Sequence, residues 1–175
     1  MEKFTLELLF QIIGIGSASG LICKDNSLLI IGDNSGFLYE YQMDSKNLKR
    51  HPLLENPTEN TLKKDKADFE AITHYGDSLY IFGFGSTEKR NKMIQVNSSD
   101  KKIIATNDIA ALYATLQSFG AIKPEDFNIE GAIYTGESWF LLNRGNGSST
   151  KNVLFTIEGK NLTNDFMILS NTYKL

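Results

Sequence analysis

A single cysteine, Cys23, means that no intrachain disulfide can brace this chain. It sits within an apolar run, where a small buried side chain is expected, and no neighbouring base marks it as a nucleophile. The only two histidines, His51 and His74, lack the spacing of a zinc site. No nucleophile elbow supports a serine triad. Net positive charge is missing too. Eighteen Lys and Arg against 21 Asp and Glu leave a formal net charge of -3, which argues against a general nucleic-acid binder. The basic pairs Lys63-Lys64, Lys89-Arg90 and Lys101-Lys102 have acidic neighbours and read as solvated loops. The apolar stretch from Phe4 to Ile15 is too short to span a bilayer, and Glu2, Lys3 and Glu7 spoil the charge pattern of a signal peptide. The expected location is therefore cytoplasmic, with neither membrane nor nucleic acid as partner.

What the chain has is a phrase stated three times. Ala18-Ser19-Gly20-Leu21-Ile22, Asp68-Phe69-Glu70-Ala71-Ile72 and Asn128-Ile129-Glu130-Gly131-Ala132 are each followed by a short polar turn and a second apolar run. The turns, at 24–26, 75–77 and 135–137, use the Asn, Asp and Gly that tight hairpins require. Repeats of this kind, about fifty and then about sixty residues apart, are the mark of a β-propeller. The strands are expected at 18–23, 27–32, 37–43 and 47–54; at 69–74, 78–83, 91–97 and 101–106; and at 129–134, 138–143, 152–158 and 164–170. The longer second interval holds one helix over 108–119. Ile109, Leu112, Tyr113 and Leu116 recur there at helical spacing, with Asp108 as N-cap and Gly120 as stop.

The fold class is thus all-β: a partial propeller of about three four-stranded antiparallel blades, near 17–55, 66–107 and 127–170, in one domain over 1–175. Propellers close with about four to eight blades. An initial strand over Phe4 to Gln11 is expected to complete a missing blade. A truncated reading frame, or self-association that protects the open faces, would account for the shortfall.

The innermost strand of each blade lines the central channel, so its polar members meet there. Glu70 and Glu130 hold matching positions, with Ser19 in the same place in the first repeat. Small residues follow each (Gly20, Ala71, Gly131), as convergence on an axis demands. Two carboxylates near one axis raise at least one pKa unless a cation intervenes, and Arg144, Arg90 and Lys89 are available. Asp33, Ser86, Arg90 and Asn146 fall at the loop rim of the same face. One reading is a pocket for a small polar, anionic or polyhydroxylated ligand, or for a divalent cation held by Glu70, Glu130 and Asp33. The other is structural, with the glutamates pinning neighbouring blades through backbone amides. The glycines over 14–20 are no dinucleotide loop, because a strand and not a helix follows them. Asp25-Asn26-Ser27 and Asp33-Asn34-Ser35-Gly36 lack the acidic spacing of a calcium loop.

The phrases Ser17-Ala18-Ser19-Gly20-Leu21, Lys66-Ala67-Asp68-Phe69-Glu70-Ala71, Gly83-Phe84-Gly85-Ser86, Asn128-Ile129-Glu130-Gly131-Ala132 and Asn143-Arg144-Gly145-Asn146 resemble those of an uncharacterised family of bacterial propeller proteins. That family is similar to the domain called esterase-like activity of phytase, whose inner strands carry Asp-x-Glu-Gly-like phrases. The resemblance spans nearly all of 14–158. It implies a propeller with a polar central site. The expected function is ligand binding or a scaffold role, with no catalytic residue assigned. The alternative is a calcium-assisted phosphoester or ester hydrolase that uses Glu70 and Glu130 to hold the metal.

Overall fold

The computed structural model describes residues 5–145, 150–169 and 173–174, the last two by backbone alone. The first blade is an antiparallel meander of β1 (Ala18–Lys24), β2 (Ser27–Gly32), β3 (Phe37–Gln42) and β4 (Asn47–Pro52). The second runs β5 (Phe69–Tyr75), β6 (Ser78–Gly83), β7 (Lys92–Asn97) and β8 (Ile103–Asp108). The third runs β9 (Ile129–Tyr134), β10 (Ser138–Asn143), β11 (Val153–Asn161) and β12 (Asp165–Ile168), and a short β13 (Tyr173–Lys174) also pairs with β11. The innermost strands β1, β5 and β9 lie side by side, so the three sheets stack face to face as blades of a partial propeller. Left-handed Asp25 and Asn26 close the first hairpin (φ 48° and 58°), the geometry a two-residue turn needs to match strand twist.

Alternation along each strand sorts the side chains into seams. Between blades one and two, Leu29, Ile31 and Leu38 meet Phe69, Leu79, Ile81, Ile94 and Val96. Between blades two and three, Ala71, Phe82 and Met93 meet Ile129, Trp139, Leu141 and Phe155, and α1 (Ala110–Gly120) adds Leu112, Tyr113 and Leu116 to that core. Each fully buried side chain of this size contributes roughly 1.5–3 kcal/mol. The seams therefore outweigh any surface ion pair in holding the blades together.

The helix begins later than its spacing suggested. Asp108 is the last residue of β8, and Ile109 occupies the cap position. The Asp108 carboxylate still accepts the Ala110 N–H at 2.8 Å, so its chemistry acts one residue early. Gly120 is the final helical residue, and Ala121 takes the left-handed turn at φ 49°. The expected strand over Phe4–Gln11 does not form: residues 5–11 have no regular secondary structure, and Phe4 lies outside the described residues. Phe10 instead stacks on Tyr41, with ring centroids 5.5 Å apart, and lays this segment against the outer face of blade one. Cys23 is exposed rather than buried, because it shares that outer face with Leu21 and has no following sheet to cover it. Leu21 is 56% exposed there, and Ile133, on the outer face of blade three, is 59% exposed. Among the described residues no helix is long and apolar enough to cross a membrane.

Candidate functional site

Each innermost strand is interrupted at the same place. The pairing of β1 with β2 steps from Ala18↔Gly32 to Gly20↔Ile31, leaving Ser19 unmatched. In the second blade it steps from Phe69↔Gly83 to Ala71↔Phe82, leaving Glu70 unmatched. In the third, Gly131↔Leu142 and Ile129↔Asn143 leave Glu130 unmatched. These are β-bulges, which bend a strand and re-aim one side chain. The bulge explains why Phe69 and Ala71, two residues apart, are buried in different seams. The repeated polar residue is the bulged residue.

A second equivalence completes the frame. The residue after each second strand donates its backbone N–H to the carbonyl two residues before the bulge: Asp33 to Ser17 at 3.1 Å, Phe84 to Asp68 at 2.9 Å and Arg144 to Asn128 at 2.9 Å. Asp33 and Arg144 thus occupy matching positions and arrive beside the bulged residues. Ser17, Ser19, Asp33, Glu70, Glu130 and Arg144 line one open cavity of about 330 Å3 at this end of the array.

The charges in it are unequally matched. Arg144 Nη2 lies 2.9 Å from Glu130 Oε1, which also accepts the Asn128 amide at 2.8 Å. Lys66 Nζ donates to Asp33 Oδ2 at 2.8 Å and stands 3.7 Å from Asp68. Arg90 pairs with Asp68 at 3.1 Å and donates to Ser86 Oγ at 2.9 Å. Glu70 has neither a hydrogen bond nor an ion pair among the described residues. Burial pushes its carboxyl up, and the charges of Glu130, Asp68 and Asp33 push further, against the pull of Arg144, to a pKa of about 7. Lys66 is held above its ordinary value: burial opposes its charge, and the Asp33 hydrogen bond with the Asp68 and Asp33 charges outweighs it. Asp33 Oδ1, on the cavity wall, is buried with no donor among the described residues, and so are Asn34 Oδ1 and Asn128 Oδ1 on residues outside the lining. The site is rich in acceptors and poor in donors.

Of the residues singled out from the sequence, Asp33, Glu70, Glu130 and Arg144 share the cavity. Ser86 and Arg90 sit behind it, coupled through Asp68, and Asn146 lies outside the described residues. Lys89 is not a counter-charge for the site; it pairs with Asp65 at 2.7 Å, out on the loops. Arg90, read as part of a solvated loop, has a side chain only 13% exposed. The carboxylates that come nearest one another are Asp33, Asp68 and Glu70, with ligand atoms within 4.8 Å. Glu130 is engaged elsewhere, by Arg144 and Asn128. Among the described residues neither glutamate carboxylate bonds a backbone amide, the contact the structural reading required. The bulged position that does cross a seam to the backbone is Ser19, whose hydroxyl donates to the Phe69 carbonyl at 2.5 Å. Sequence reasoning passed over Asp68 and Lys66 as site residues. Asp68 had a signal, since Ser17, Asp68 and Asn128 form their own polar repeat two residues before the bulge; Lys66 had none.

A model of a family of unknown function matches residues 14–173. The chain belongs to this family, DUF6929. No functionally curated protein matches the chain. Among solved structures, this DUF6929 member is similar to the hemopexin-fold protein CP4 from cow pea, at 14% identity and a TM-score of 0.47, over 90% of this chain and 67% of that one. It is also similar to the β-propeller domain of Cps50 (Swd1) from Myceliophteria thermophila, at 10% identity and a TM-score of 0.48, over 90% of this chain. The chain spans 40% of that structure's length.

Proposed function

We propose that the protein is a binding module that holds a small polar ligand in the cavity formed by the three bulges. The ligand offers an ammonium or hydroxyl donor to Glu70 and an acceptor to Arg144. The observation that supports this reading is the surplus of unmatched acceptors, with Glu70 at its centre and Asp33 Oδ1 beside it. A buried acceptor without a donor costs about 1–3 kcal/mol, and a donor-bearing ligand returns it. An anion alone fits poorly, since carboxylates outnumber cations along the wall. Arg144, with a side chain 58% exposed, stands in the cavity wall where a ligand's acceptor would meet it.

The Asp33, Asp68 and Glu70 carboxylates favour a second reading, a calcium site and with it the metal-assisted hydrolase of the phytase esterase-like resemblance. Lys66 and Arg90 already neutralise two of the three, so a metal would have to displace Lys66.

One experiment separates the readings. The melting temperature is followed while amino acids, polyols, small amines and calcium are titrated into the wild type and Glu70→Gln. A ligand bound only by the folded state at a hundred times its Kd adds about 2.7 kcal/mol. The binding reading expects a saturable rise with a donor-bearing organic probe, absent in Glu70→Gln. A rise confined to calcium and reversed by EDTA transfers the site to the metal reading. A cooperatively melting protein that none of these shifts contradicts both.

A further inference from the structure

At the hairpin end of the array, five residues along β5 from Glu70 and therefore about 17 Å away, a second cavity opens between blades two and three. Its volume is about 520 Å3. Three tyrosines wall it, Tyr75, Tyr80 and Tyr134, together with the amide side chains Gln95 and Asn107.

The matching place in the other seam shows what is unusual here. By strand register, Lys24 takes the position of Tyr75, His74 that of Tyr134, Leu29 that of Tyr80 and Glu40 that of Gln95. In that seam Lys24 Nζ and His74 Nε2 are 2.9 Å apart, as Tyr75 and Tyr134 meet at 5.0 Å in this one. There Lys101 reaches Glu40 at 3.2 Å and the Ser98 carbonyl at 2.6 Å, and only about 290 Å3 remains. Burial raises the Glu40 carboxyl, but hydrogen bonds from His51 and Lys101 outweigh it and keep it ionised at neutral pH. An ion pair fills part of the first seam. The second replaces that pair with aromatic faces and neutral amides, and its cavity is the larger of the two.

Its polar groups are only partly used. Gln95 donates to Ser78 Oγ at 2.9 Å and to the Tyr80 hydroxyl at 3.5 Å, while its carbonyl oxygen has no donor among the described residues. The half-buried Asn107 side chain makes no hydrogen bond among the described residues. Tyr134 is fixed by its hydroxyl on the Gly136 carbonyl at 2.9 Å and by Trp139, stacked at 4.0 Å with the rings 13° apart. Tyr80 meets the same indole edge-on at 4.9 Å. The rings are therefore held in place before any ligand arrives, which lowers the ordering cost of binding. Lys160, exposed at the rim, is the only charged residue in the wall among the described residues.

We infer that this cavity binds a neutral pyranose sugar. The flat C–H face of such a ring packs on tyrosine, and its vicinal hydroxyls match the Asn107 amide, which has both a donor and an acceptor to offer, and the carbonyl oxygen of Gln95, which accepts. Among the described residues no carboxylate lines the wall to select a cation, and a single rim lysine does not select an anion.

Trp139, the only tryptophan of the chain, reports directly on the rings of the wall. The methyl glycosides of glucose, galactose, mannose and N-acetylglucosamine are titrated in turn, with adenosine as a planar aromatic comparison, while Trp139 fluorescence is read. The expected result is saturation by at least one glycoside, with Kd weakened about tenfold or more in Tyr75→Ala and in Asn107→Ala and unchanged in Lys102→Ala. Tyr75 is 46% exposed, so its truncation leaves the core standing, and the melting temperature of each variant checks this. Absence of saturation by every glycoside in folded protein overturns the assignment. So does saturation that both alanine variants retain, or saturation by adenosine alone.

Discussion

Two carboxylates of the same site behave differently because only one has a partner. Asp68 is buried between Arg90 and Lys66, with both sides of the Arg90 pair almost out of solvent. Asp68→Ala strands the Arg90 guanidinium, and we expect a loss of about 3 kcal/mol in denaturant unfolding, against less than about 1 kcal/mol for Arg144→Ala at the exposed end of its own pair. Glu70 has the opposite problem. Its folded pKa, about 7, stands above the ordinary 4.5, so between those values the folded state binds more protons than the unfolded state. Stability is fully present below pH 4.5 and falls as pH rises through 7. With the discount for a half-exposed group, the fall is on the order of 1–2 kcal/mol. Glu70→Gln should flatten that slope and be more stable than the wild type at pH 8; an unchanged slope would show that another group is responsible.

Helix α1 is followed by an alanine where a glycine would fit better. Ala121 at φ 49° bears the left-handed penalty that Gly escapes, so Ala121→Gly should gain a few tenths to about 1 kcal/mol in thermal unfolding. Gly83 is constrained by space instead. A Cβ there would stand 2.4 Å from the Arg90 carbonyl oxygen, so Gly83→Ala should cost about 2 kcal/mol or more. The strands were legible because alternation and turn residues agree: β2, β6, β9 and β10 have the bounds their sequences suggested. The helix was legible in its face and not in its first turn, because the end of β8 and the cap compete for Asp108. Glu70, Glu130, Asp33 and Arg144 could be read because repetition marks equivalent positions. The bulges that bring them together could not. A bulge reverses the side-chain alternation, and Phe69 and Ala71 look like same-face neighbours until the register is known. Lys66 has no counterpart in the other repeats, so nothing in the pattern drew notice to the cation that occupies Asp33.

Among the described residues, apolar side chains stay exposed on the outer sheet face at each end of the stack, Leu21 on blade one and Ile133 on blade three. Residues 10–15 lie partly across the face of blade one and leave an apolar cleft of about 580 Å3, lined by Phe10, Ile15, Leu21 and Ile30 among others. Ile13 of that segment and Leu6, Leu8 and Leu9 just before it are all more than 80% exposed. So much unpartnered apolar surface predicts association that grows with concentration. Light scattering should show it, and Leu21→Lys with Ile133→Lys should reduce it without lowering the melting temperature by more than a few degrees. A strictly monomeric wild type would mean that the exposed faces are too small or too poorly matched to drive association.

The bulge of β5 delivers a carboxyl with no partner among the described residues into a cavity already crowded with acceptors. Nuclear magnetic resonance of the Glu70 side-chain carboxyl across a pH titration, assigned by comparison with Glu70→Gln, tests it most directly. The account predicts a midpoint near pH 7. A midpoint near the ordinary 4.5 would show that Glu70 is solvated or already matched by a donor, and the case for a donor-seeking site would fall with it.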